Sequence, residues 1–191
     1  MKTTIMLLEL LTTAVLSYAT QWDQDESTFK IARLYHAGEL DKAEQAVQEH
    51  FHKDVHPFPD VWLLAGRVLV AQGEMAKAMT TLEHAAREFP KDYRIWTLIG
   101  EAHIRQGGEA EGLKSLRRSL EINGAYAPTY LWLAKASYGN PLQAVWLKKV
   151  LVLESKDSPI ATEALAMLKK LEERSGAQPP AGGDGKPAPQ P

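Results

Sequence analysis

The sequence predicts an all-α fold, an α-solenoid of about four antiparallel helix hairpins followed by a C-terminal capping helix. Three observations carry that expectation. Trp62 and Gly66 recur as Trp96 and Gly100, an offset of 34 residues, and self-similarity at a fixed period of this size marks stacked supersecondary units. Apolar and small residues return at helical spacing on both sides of a glycine within each period. A proline or glycine closes each of the two central units, at Pro90 and Gly124.

The elements follow in order. The unit at 59–92 opens with Trp62, Ala65 and Gly66, turns at Gly73, and continues through Ala78, Leu82 and Ala85 to Pro90. The unit at 93–126 carries Trp96, Ile99 and Gly100, turns at Gly107, and places Gly112, Leu116 and Ser119 on its second helix. In the unit at 127–157, Tyr130, Leu133 and Ala134 fill the first block. Its turn, Gly139-Asn140-Pro141, arrives about three residues early, before Ala144, Leu147, Val150 and Leu151. An earlier unit at 26–58 holds Thr28, Ile31, Ala32 and Tyr35, a turn at Gly38, then Ala43 and Val47, with an extended connection from His52 to Pro59. The last predicted helix, 158–174, has Asp157 or Ser158 as its cap and Pro159 at its first position. Ala161, Ala164, Leu165, Leu168 and Leu171 then recur at helical spacing, as in the solvating helix that covers the end of a repeat array.

These blocks resemble the tetratricopeptide repeat, whose pattern is W-x2-L-G-x2-Y…A-x3-F…P. The resemblance covers about residues 26–174. The sequence departs from the pattern at Leu69 and His103, where tyrosine is usual, and at Gly124, where proline is usual. The resemblance implies a right-handed solenoid, no enzymatic activity, no cofactor, and a concave groove, lined by the first helix of each pair, that binds another protein. By register, the groove positions are Phe29, Arg33 and His36; Leu63, Arg67 and Val70; Thr97, Glu101, Ile104 and Arg105; and Leu131 and Lys135. Apolar patches with a basic excess suit a partner segment bearing acidic and apolar side chains. The carboxylate-clamp specialisation of the family uses groove asparagines. Here Asn123 and Asn140 both lie near turns.

Composition narrows the alternatives. The chain of 191 residues has 45% hydrophobic and 24% charged residues and a formal net charge of −2, so no strong overall field draws it to nucleic acid or a membrane. Basic pairs at Arg117–Arg118, Lys148–Lys149 and Lys169–Lys170 fall in helical patterns, as on solvated faces. The absence of cysteine removes disulfides, thiol nucleophiles and cysteine-ligated metals. There is no Gly-rich phosphate loop and no nucleophile elbow. His52 and His56 are four apart and could share a metal on a helix, but Pro57 follows at once and favours a loop, so no metal site is expected.

The two ends differ from the middle. Lys2, the apolar run from Ile5 to Leu16, and Ser17-Tyr18-Ala19 have the three parts of a secretory signal peptide over residues 1–19, with cleavage after Ala19 and a short linker at 20–25. Glu9 within the run leaves two alternatives, an amphipathic helix and an uncleaved signal anchor. The tail at 175–191 has no apolar residue larger than alanine or proline and is expected to be disordered.

Taken together, the sequence predicts an exported, periplasmic scaffold or assembly factor that holds a segment of a partner protein. The alternative is a structural subunit of a membrane-associated envelope complex, anchored by its N-terminal helix. Membrane contact is expected only if that helix is retained.

Overall fold

The computed structural model describes residues 26–53 and 58–177. Among the described residues every regular element is a helix: α1 (26–36), α2 (Leu40–His52), α3 (Pro59–Gln72), α4 (Met75–Glu88), α5 (Tyr93–Arg105), α6 (Glu109–Ile122), α7 (Ala127–Ala136), α8 (Leu142–Leu153) and α9 (Pro159–Ala177). The fold is an α-solenoid of helix hairpins. The chain divides into two compact units, one running to Gly124 and one starting at Ala125.

The first unit holds the hairpins α1–α2, α3–α4 and α5–α6. Each turns at a glycine with positive φ, as at Gly73 (81°) and Gly107 (80°), a conformation that costs glycine nothing because it lacks Cβ. The Gly73 amide donates to the carbonyls of Leu69 and Val70 and so closes α3. Pro59 starts α3 where its missing N–H is not needed. Asp92 caps α5 by accepting the Arg94 amide at 2.9 Å.

Second helices share one burial register. Ala43, Val47 and His50 of α2 are buried, as are Ala78, Leu82 and Ala85 of α4, and Gly112, Leu116 and Ser119 of α6. The middle residue of each trio fits the first helix of its own hairpin. A Cβ built on Gly66 would meet Leu82 Cδ2 at 2.4 Å, and one on Gly100 would meet Leu116 Cδ2 at 2.7 Å. The absence of a side chain at these glycines is what lets the two helices of each hairpin approach closely. Leu63, Leu82, Ile95, Leu98 and Ile99 join α3, α4 and α5 in one core, with Trp62 and Trp96 packed against it. Ile31, Ala46, Val47, Val61 and Ala65 form a second core among α1, α2 and α3. Full burial of a leucine such as Leu82 contributes about 1.5–3 kcal/mol.

The second unit holds α7, α8 and α9, and α9 packs on both of the others. Its first helix is short, as the early turn predicts, and Gly139 has φ 78°. Asn140 Oδ1 accepts the Leu142 amide at 2.9 Å and starts α8. Ser158, rather than Asp157, caps α9, its Oγ accepting the Ala161 amide at 3.0 Å. In α8 the buried trio is Gln143, Leu147 and Val150, the same register with glutamine in the small-residue position. The helix α9 runs to Ala177, past the expected end at 174. The expected signal segment 1–19, the linker 20–25, His56 and Pro57, and the tail from 178 lie outside the described residues. No helix among the described residues is long and apolar enough to cross a membrane.

Candidate protein-binding surface

The expected groove positions separate into those the fold consumes and those it leaves accessible. Leu63, Val70, Thr97 and Leu131 are buried, which corrects their placement on an open groove. Leu63 and Val70 belong to the α3–α4–α5 core. Thr97 Oγ1 lies 2.8 Å from Ser119 Oγ and joins α5 to α6 inside their hairpin. Ile104 is half-buried, and its Cγ1 lies over Gly112, 2.6 Å from where a Cβ there would stand. Ile104 therefore faces its own second helix. The physical reason is common to all: an apolar or hydroxyl side chain near a helix seam gains more from the seam than from water.

Arg33, Arg67, Glu101 and Lys135 occupy one sequence position in successive repeats. Glu101 and Lys135 are neutralised within the chain. Glu101 accepts from Arg105 Nε at 2.9 Å. Lys135 pairs with Glu163 of α9 at 2.8 Å and lies 4.2 Å over the Trp132 ring. Arg33 and Arg67 form no ion pair among the described residues, although Lys42 first, and then the Arg33 charge, help hold the Glu39 carboxyl below the usual carboxylate range. Beside Arg33, Phe29 is 69% exposed, and His36 on the same helix is exposed against Tyr35. Phe29 and Arg33 also line a cavity of about 490 Å³ with Lys30, Glu49 and His50. Its walls are tied together: Ser27 Oγ and His50 Nδ1 are hydrogen-bonded at 2.7 Å, and Lys30 donates to Glu49 at 3.0 Å. The Lys30 hydrogen bond and charge hold the Glu49 carboxyl below the usual carboxylate range.

The structure also shows a cleft that motif reasoning passed over. It spans about 590 Å³ between α2 and α4, with α3 as its floor. Phe51 and Trp62 stand 4.6 Å apart between ring centroids at one end, and Trp62 stacks on His84 at 4.7 Å. The same gap recurs one repeat later over Trp96. There Ile99 replaces Ala65, His103 replaces Leu69 and Lys114 replaces Thr80, so the first cleft is less charged. The signal was present in that small residue at 65 beside neutral residues at 80 and 81. It gains meaning only once the second helices are seen to stand apart.

His52, the described half of the expected histidine pair, is exposed and uses Nδ1 on the Gln48 carbonyl at 2.7 Å. No cluster of three or more metal-ligating side chains occurs among the described residues.

Residues 59–102 match the family model described as "Tetratricopeptide repeat". Superkiller complex protein 3 of Homo sapiens is 36% identical over 62 residues, which are 32% of this chain and 4% of that protein. The peroxisomal targeting signal receptor of Komagataella phaffii is 24% identical over 117 residues, 61% of this chain and 19% of that protein. The chain thus spans only a small part of the length of these relatives. A thermophilic TPR protein of Thermus thermophilus superposes with a TM-score of 0.70 at 21% identity, covering 79% of this chain and 84% of that one. Residues 59–102 thus match the tetratricopeptide-repeat model, and the chain has the α-solenoid fold of tetratricopeptide-repeat proteins.

Proposed function

We propose that this chain is an exported scaffold or assembly factor that holds an acidic and apolar segment of a partner protein along the first helices of its first two hairpins. The observation that carries the proposal is the pair Arg33 and Arg67, one repeat apart and in no ion pair among the described residues, with the exposed Phe29 beside Arg33. A desolvated carboxylate–arginine contact is the strong kind of charge-assisted hydrogen bond, and Phe29 offers an apolar anchor next to it. Tetratricopeptide-repeat proteins are generally protein-interaction scaffolds. One relative is, by its name, a receptor for a targeting signal, which supports recognition of a short segment. Export rests on the signal-like residues 1–19.

The test places a photo-crosslinking residue at His36 of α1, at Ala71 of α3 or at Glu83 on an outer face, in the native cell. One partner captured from 36 and 71 and not from 83 is the expected result, with capture lost when Arg33→Glu/Arg67→Glu is added. Equal capture from all three positions sinks the groove. N-terminal sequencing of the purified protein checks export: a start at Thr20 is expected, and an intact Met1 means an anchored or unexported chain.

A further inference from the structure

The burial register shared by the second helices also fixes which of their positions face outward. In α4 these are Lys77, Thr80, Glu83, His84 and Arg87, all exposed. In α6 they are Glu111, Lys114, Arg117, Arg118 and Glu121, again all exposed. The outward positions of α2 are likewise polar, from Lys42 to His52. In α8 the same five positions are Leu142, Val145, Lys148, Lys149 and Val152. Their apolar members are 49%, 53% and 76% exposed. One helix thus presents leucine and valines where its three counterparts present charge, amide and hydroxyl.

We propose that this face of α8 is a second docking surface, and that its occupant is an amphipathic helix of a partner protein with carboxylates flanking its apolar stripe. Leu142, Val145 and Val152 follow one side of the helix over about 15 Å, the footprint of roughly three turns of a partner helix lying alongside. Lys148 and Lys149 interrupt and border the stripe, and α8 has no acidic residue between Leu142 and Leu153. Neither lysine forms an ion pair among the described residues, and Lys149 Nζ stands 5.9 Å from the Tyr130 ring centroid. Two unneutralised positive charges beside apolar side chains complement an acidic amphipathic partner. A second copy fits less well. A two-fold interface places the same patch against itself, which here brings the lysines of both copies together. A membrane surface also fits less well, because the exposed apolar residues are small and the one tryptophan of α8, Trp146, is half-buried beside Tyr130.

The test uses the full chain and three synthetic helical peptides with the same leucine stripe and Glu, Gln or Lys at the flanking positions, read by fluorescence anisotropy. The Glu peptide is expected to bind about tenfold more tightly than the Lys peptide, which two exposed ion pairs near the top of their range supply. Lys148→Glu/Lys149→Glu should reverse that order. Val145→Glu/Val152→Glu should abolish binding of all three with unchanged circular dichroism. Arg33→Glu/Arg67→Glu should leave binding intact, which separates this surface from the groove proposed above. Absent binding, or equal affinity for the Glu and Lys peptides, overturns the proposal. So does recruitment to phosphatidylglycerol vesicles without peptide preference, which makes the face a lipid contact. A concentration-dependent dimer lost in Val152→Glu overturns it as well, in favour of a second copy.

Discussion

Gly66 and Leu82 are in contact across the α3–α4 hairpin so closely that a single added methyl group at Gly66 has no room: it would stand 2.4 Å from Cδ2 and 2.9 Å from Cγ of Leu82. Leu82 is fully buried, and Leu98 closes the other side at 3.1 Å. Gly66→Ala should therefore destabilise the fold. Overpacking of this kind costs about 1–3 kcal/mol, and the gain in helix propensity, roughly 1 kcal/mol, offsets only part of it. Thermal melts of Gly66→Ala, Leu82→Ala and the double variant check this. The double variant should lose less than the sum of the singles, and additive losses would remove the contact as the cause.

A second prediction concerns the start of α5. Arg94 bonds to Asp92 and also reaches Asp60, its own equivalent one repeat earlier. The two aspartates are not equal. Asp92 caps the helix and its side chain is largely buried, whereas that of Asp60 is exposed. Asp92→Ala should cost about 1 kcal/mol as a lost cap, and Asp60→Ala a few tenths, as exposed pairs do. Urea denaturation of both variants ranks them, and the reverse order would mean that the link between repeats outweighs the cap.

Glu49 offers a pH-dependent readout. Its carboxyl is held below the ordinary glutamate value, first by the hydrogen bond from Lys30 and then by the lysine charge. The sign follows directly. A group with a lowered folded-state pKa stabilises the fold above its unfolded value and loses that contribution as pH falls through the folded value. An NMR titration of the Glu49 side chain should show a midpoint below that of an ordinary glutamate. Lys30→Ala should move it upward, and an unmoved midpoint would assign the shift elsewhere.

Gln143 makes a fourth case. The residue is 2% exposed, it takes the position held by Ala78 and Gly112, and its Oε1 is buried without a hydrogen-bond partner among the described residues. An orphaned acceptor costs about 1–3 kcal/mol. Gln143→Leu keeps the volume and removes the orphan, so it should match or exceed the parent in thermal stability. A marked loss would show that the amide is needed.

Much of the solenoid was legible in the chain itself. The Trp62/Trp96 and Gly66/Gly100 pairs specify the period, because only a small residue at that point admits the leucine of the facing helix. The turn glycines at 38, 73, 107 and 139 could be read for a similar reason, since each adopts a positive φ. The early turn at Gly139 announced the short α7. Ser158 and Asp157 could not be told apart as caps, because the choice depends on which oxygen reaches the Ala161 amide.

What the sequence determined by itself is the repeat: period, helix order, turns and the closing helix, all of which are local chemistry recurring at fixed spacing. Tertiary structure alone decided which charges remain available. The Glu101–Arg105 pair, four residues apart on α5, could be read from the chain, but Arg33 and Arg67 look no different in sequence from Lys135, which Glu163 of α9 neutralises. Tertiary structure also decided that Leu63, Val70, Thr97 and Leu131 serve packing, and that Leu142, Val145 and Val152 face outward. Partner choice between side chains on different helices depends on distances across a seam, and those exist only after the helices have docked.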